Sequence, residues 1–212
     1  MEGLMINSVD LLEDYGYDIE TIIIRTAPTP KTKYIDITGM DGSLDYTEQD
    51  GIIRYKSGTM QVKLSKQADM PEHYQKTMCI KQLCHGKKCQ IVFPYDLDFY
   101  LSGRISVKES CDGYWSSVEL TIIYDPYRYK RELTYREITV SGKTELLCYN
   151  LQRNVIPNIQ CSAAMTVTFS GKTYNLASGE NSISEIIFTA GENLLEFIGT
   201  GTVAVSYQEA SL

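Results

Sequence analysis

The sequence predicts a mainly β protein in two domains: an N-terminal sandwich or barrel-like domain with one α-helix, and a C-terminal jelly-roll sandwich. Three observations carry this. Several stretches alternate apolar and polar residues at the strand period, most cleanly Arg104–Lys108 and Ser117–Ile122. One helix signal runs from cap to cap between Asp69 and Gly86. Beyond Tyr129 the texture changes to short apolar runs separated by glycine turns, with no helical period.

Taken in order, residues 4–25 read as two strands around a turn at Glu13-Asp14-Tyr15-Gly16, the second running from Ile19 to Arg25. Ala27-Pro28-Thr29-Pro30-Lys31 breaks that strand and reads as a crossover, with an arm reaching a neighbour as the other reading. Tyr34–Ile37 alternates before a turn at Gly39–Gly42, and Ile53 to Ser65 continues at the strand period around Ser57-Gly58. The helix then opens on Asp69 as N-cap, with Pro71 in the first turn and Glu72 three residues on. Gly86 is placed to take the left-handed conformation that ends a helix. Cys79, Ile80, Leu83 and Cys84 fall in one stripe of about 140° that would pack on a sheet. Strands are expected over 88–93, 98–108 and 116–124, with Cys111-Asp112-Gly113 turning between the last two.

The polar stretch Tyr127–Arg131 interrupts the alternation, and the domain boundary falls there, giving domains 1–128 and 129–212. Eight short strands are expected in the second: 132–140, 144–151, 158–162, 165–169, 173–176, 182–188, 193–198 and 202–208. Their separators include Ser141-Gly142-Lys143, Ser170-Gly171-Lys172 and Gly199-Thr200-Gly201.

Composition excludes some functions. A formal net charge of −7 denies the chain the electrostatic attraction that dominates binding to a phosphate backbone. No apolar run approaches the roughly 20 residues a membrane helix needs, so neither a membrane span nor a signal peptide is expected. Six irregularly spaced cysteines read as free thiols. The 16 tyrosines supply apolar area with a polar tip, suited to half-buried sheets and interfaces.

The candidate chemical groups are weak. Cys79, Cys84, His85 and Cys89 have zinc-ligand chemistry, but their spacing is not a paired knuckle, and Cys79 and Cys84 point about 140° apart on a helix. His73 and His85 stand near no nucleophile elbow and read as surface or capping residues, His85 at the helix C-terminus. Asp96 with Asp98, and Asp41 with Asp45, offer carboxylates with nothing to position a partner. Lys87-Lys88 with Arg104, and Arg128 with Lys130-Arg131, form basic clusters read as a solvated rim or as charge facing another subunit. No catalytic, metal or cofactor site is expected, and the chain is not read as an enzyme. Sugar binding by the second domain would rest on Tyr149, Tyr174 or Tyr207, since the one Trp, Trp115, lies in the first.

In order along the chain, Gly39-Met40-Asp41-Gly42-Ser43-Leu44-Asp45, Leu83-Cys84-His85-Gly86-Lys87, Asp98-Phe99-Tyr100-Leu101-Ser102-Gly103-Arg104 and Asp125-Pro126-Tyr127 resemble the N-terminal domain of the distal tail protein (Dit) family of long-tailed siphophages. Gly191-Glu192-Asn193 and Gly199–Val203, in residues 129–212, resemble that family's C-terminal galectin-like sandwich. The resemblance implies a short-form structural hub of a phage or prophage tail tip or baseplate. It implies a hexameric ring built by the N-terminal domain, sometimes two rings back to back. The implied partners are the tail tube protein, the tail-associated fibre or lysin-like protein, the tape-measure protein and, in some phages, receptor-binding proteins. DNA would only pass through the lumen. The implied location is the virion tail tip, after synthesis in the bacterial host cytoplasm. Lys87, Arg104 and Tyr127 are the expected ring-domain interface or structural residues. The alternative is a carbohydrate-binding adhesin module that forms no ring.

Overall fold

In the computed structural model, residues 3–22 and 27–212 are described. The chain divides into two compact units, residues 1–126 with Leu212, and residues 127–211.

The first unit opens with a tight hairpin, β1 (Met5–Ile6) and β2 (Val9–Asp10). Its two-residue turn, Asn7-Ser8, has both φ angles positive, as a turn matching strand twist requires. The expected turn at 13–16 is instead a short helix, α1 (Leu11–Tyr15). Asp10 caps it by accepting the N–H groups of Leu12 and Glu13, and Gly16 closes it in the left-handed region. The expected first strand thus stops at Asp10, because the capping residues on either side fold 11–15 into a helical turn. β3 (Asp18–Ile22) follows. The rest of the expected Ile19–Arg25 strand lies outside the described residues.

Among the described residues, β4 (Tyr34–Asp36) and β5 (Ser43–Asp45) pair only with each other. β6 (Gly58–Gln67) leads into α2 (Met70–Cys84), which is capped at Asp69 as expected. After it come β7 (Lys88–Phe93), β8 (Asp96–Cys111) and β9 (Trp115–Lys130). The last two outrun the expected strands, and β9 carries straight through the polar 127–130 stretch. Strands β2-β1-β7-β8-β9-β6-β3 make one curled antiparallel sheet.

The helix lies on this sheet through His73, Thr77, Ile80 and Cys84, all buried. Cys79, expected on that stripe, is exposed. The true stripe steps four, three and four residues from His73, a helical face that a polar histidine hides from hydrophobic patterning. Beneath it Val62, Leu64, Ile91, Ile105, Leu120 and Ile122 form the centre of the core.

The second unit is organised on a long ribbon, β10 (Thr134–Asn150) against β15 (Gly191–Tyr207). The expected turns at 141–143 and 199–201 are absent, because Gly142 and Gly199 sit opposite each other and let the paired strands bend instead of ending. A side chain at Gly199 would place its Cβ 2.6 Å from Met165 Cβ, so bare backbone packs there. β11 (Asn158–Cys161) and β12 (Met165–Phe169) pair with the two halves of β15. β13 (Lys172–Leu176) flanks β12, β14 (Gly179–Asn181) flanks β11, and β16 (Ala210–Ser211) pairs with the end of β9. Residues 182–188, expected as a strand, make only a single bridge, Val155 to Phe188. Both halves of the bent ribbon bury residues in one core, with Leu195 and Phe197 from one half and Val203 and Val205 from the other.

Candidate interaction surfaces

The structure brings Lys87 and Arg104 together at the end of α2. Lys87 Nζ donates to the Gln82 carbonyl at 2.5 Å, and Arg104 Nη1 donates to the Gly86 carbonyl. Lys87 thereby serves a carbonyl that the helix end leaves unpaired and Arg104 one in the turn just beyond it, on the side where the helix dipole favours positive charge. Backbone bonds stitch the same turn to β8: Gly86 N–H donates to Ile105 O at 2.7 Å, and Ile105 N–H to Lys87 O at 3.1 Å. Lys88, cross-strand from Arg104, reaches Asp125 at 2.8 Å. His85 is the C-cap residue, and its Nδ1 accepts the Val107 N–H at 3.0 Å. Tyr127 is half-buried on β9 and belongs to the second unit.

His73, expected at the surface, is buried. Its Nδ1 lies 2.6 Å from Ser116 Oγ, which also meets the Tyr17 hydroxyl. Burial pushes the Tyr17 phenol pKa up. Ser116 is wholly inaccessible, so this group ties α2, β9 and the link from α1 to β3 together without an approach for a substrate. Hydrophobic periodicity cannot signal such a polar tie, because its members come from residues 17, 73 and 116.

The cysteines are free: Cys84, Cys89, Cys148 and Cys161 are buried, while Cys79 is exposed. Burial pushes the Cys84 thiol up to about 12 and the Cys148 thiol up to about 11. Among the described residues, no cluster of three or more His, Cys, Asp or Glu side chains is arranged to hold a metal ion.

The Pro-rich segment begins an arm, not a simple crossover. Lys56 N–H donates to Thr29 O at 2.8 Å, Lys31 N–H to Arg54 O at 2.7 Å, and Tyr46 N–H to Lys33 O at 2.8 Å. These bonds and the β4–β5 pair tie the two sides of residues 29–56 to each other. The arm's apolar side chains face solvent: Tyr34 is 59% exposed, Ile35 39% and Leu44 37%. Ile37, Met40, Ile52 and Ile53 are exposed as well.

On the second unit, the outer face of the ribbon differs from end to end. Around Leu147, Tyr149, Leu194 and Ile198 it is apolar and exposed. Around Tyr135 it is polar and forms an open groove of about 240 Å³, lined by Tyr135, Glu137, Gln160, Ser162, Thr202 and Ala204 among others. Register explains the arrangement: Glu137 and Gln160 both sit opposite Ala204, one on each neighbouring strand. The small Ala204 makes the floor. Tyr135 is 57% exposed, and its hydroxyl donates to Glu137 Oε2 at 2.8 Å, which holds the ring along the strand and raises the phenol pKa. Of the tyrosines considered from sequence, Tyr207 is buried with its hydroxyl donating to the Tyr149 carbonyl at 2.6 Å, and Tyr174 packs against the core. Tyr135 was missed, because nothing in a single strand reveals that its neighbours leave a hollow.

No protein-family model matches the chain, and no curated protein matches it. Its fold does have a counterpart among solved structures: it is that of a phage distal tail, or Dit, protein. The crystal structure concerned is of SPP1 Dit (gp 19.1), a paradigm of hub adsorption apparatus in Gram-positive infecting phages. That structure is similar over 100% of this chain and 100% of its own, with a TM-score of 0.72 and 15% sequence identity.

Proposed function

We propose that the chain is a structural hub of a phage or prophage tail tip, assembling as a hexameric ring through its first unit. The likeness to SPP1 Dit over the full length of both chains carries this reading. The exposed apolar arm supports it from the chain's own physics. An isolated two-stranded hairpin is marginal in water, and aliphatic and aromatic side chains in solvent have no folding role. Against a second copy they would be covered, and a repeated head-to-tail contact that closes by rotation gives a cyclic ring. Lys87 and Arg104 shape the helix end from which ring contacts are made, and Tyr127 has its role where β9 enters the second unit.

In this reading the ring joins the tail tube to the tape-measure protein, the tail-associated fibre or lysin-like protein and receptor-binding components. DNA passes through the lumen, where an acidic subunit offers it no hold. The protein is made in the host cytoplasm and ends in the virion tail tip. Light scattering at several protein concentrations tests the ring: a mass of six or twelve subunits is expected. A monomer at every concentration, with and without tail tube protein, would remove it and favour an adhesin module.

A further inference from the structure

The open groove on the second unit is independent of the ring, and its chemistry is specific enough to say what it takes. None of the residues lining it is Lys or Arg, so it offers nothing to a phosphate or other anion. Its walls are mostly polar, so a purely apolar ligand would strip water from groups it could not satisfy. Donors and acceptors stand side by side instead. Glu137 has one oxygen engaged by Tyr135, and a carboxylate still has further lone pairs to give. Gln160 stands on the other side of Ala204 with an amide that both donates and accepts. Ser162 Oγ accepts the Thr202 N–H at 2.8 Å, and its own O–H remains to donate. Against these stands one exposed aromatic face, fixed by its hydroxyl.

A ligand that matches must carry several hydroxyls around its rim and one apolar C–H face. It must also be small, since the volume of about 240 Å³ is below the roughly 300–1,000 Å³ of sites for drug-sized molecules. We infer that this groove binds one neutral hexose unit of a glycan, its C–H face against the Tyr135 ring and its hydroxyls on Glu137, Gln160 and Ser162. Tyr135 and Glu137 act as one element, because the hydrogen bond that orients the ring also aims the carboxylate.

Calorimetric titration of the full-length chain with galactose, glucose and N-acetylglucosamine tests this. At least one is expected to bind with a millimolar dissociation constant. Tyr135→Ala should weaken it by about tenfold or more. Ala204→Leu, which fills the floor, should abolish binding while the circular dichroism spectrum stays unchanged. Tyr149→Ala, on the apolar part of the ribbon, should bind as the parent does. Heat from none of the three sugars would overturn the proposal, and so would undiminished binding by both Tyr135→Ala and Ala204→Leu. Neither result bears on the ring, whose test is mass in solution.

Discussion

The β4–β5 arm and the β10–β15 ribbon are both antiparallel pairs, yet they use their apolar residues in opposite ways. In the ribbon, Leu195, Phe197, Val203 and Val205 alternate inward and are fully buried, while the residues between them face out. In the arm, Ile35 and Leu44 are directly opposite each other, and both remain exposed. In each, the two strands pair their backbones with one another. Burial differs, and burial is where folding free energy comes from. The ribbon is thus stable through its own unit, and the arm has apolar area left over for something else.

Changes to the ribbon should therefore cost stability, and changes to the arm should cost association. Phe197→Ala is expected to have the largest effect, about 3–5 kcal/mol, read from denaturant or thermal unfolding. High pH attacks the same core. Burial raises the Cys148 thiol to about 11 from 9.0 and the Tyr207 phenol to about 12 from 10.0. Both groups are neutral when folded and ionise more readily when unfolded. Their contribution is complete below about pH 9 and is lost as pH rises toward 12, by at most about 1.4 kcal/mol per pH unit for each group. Urea midpoints that stay flat between pH 9 and 11 would contradict this. Gly199→Val forces a side chain into Met165, and about 1–3 kcal/mol should be lost. At the other extreme, the double change Ile35→Ser with Leu44→Ser should alter the unfolding free energy by no more than about 0.5 kcal/mol. Its effect belongs in the light-scattering mass, which should fall.

The sequence displayed some of this plainly and hid the rest for physical reasons. The α2 boundaries were legible because Asp69, Pro71 and Gly86 act within their own turn. The mainly β class was legible from alternation. Strand lengths in the second unit were not, because a glycine that ends a strand and a glycine that lets a paired strand bend look alike until the partner is known. Gly142 opposite Gly199 is the instance. His73 was misplaced since its burial depends on Ser116 and Tyr17, distant in sequence. Lys87 and Arg104 were singled out by resemblance, and the structure shows where they sit, each donating to a carbonyl at or just past the end of α2. The groove around Tyr135 depends on cross-strand register, which no single segment encodes.

The central position of β15 has a consequence for synthesis. β10, β11 and β12 do not form the unit's sheet among themselves; each pairs through β15. As the chain leaves the ribosome between Thr134 and Thr189, β12 can pair with β13 and β11 with β14, but β10 and these two pairs wait for the strand that joins them. At about 5–20 residues per second this interval lasts roughly 3–11 s. Over that window the nascent second unit is at its most vulnerable to mispairing with other chains, and a ribosome stalled before Gly191 would leave β10 unpaired and the two short pairs unjoined.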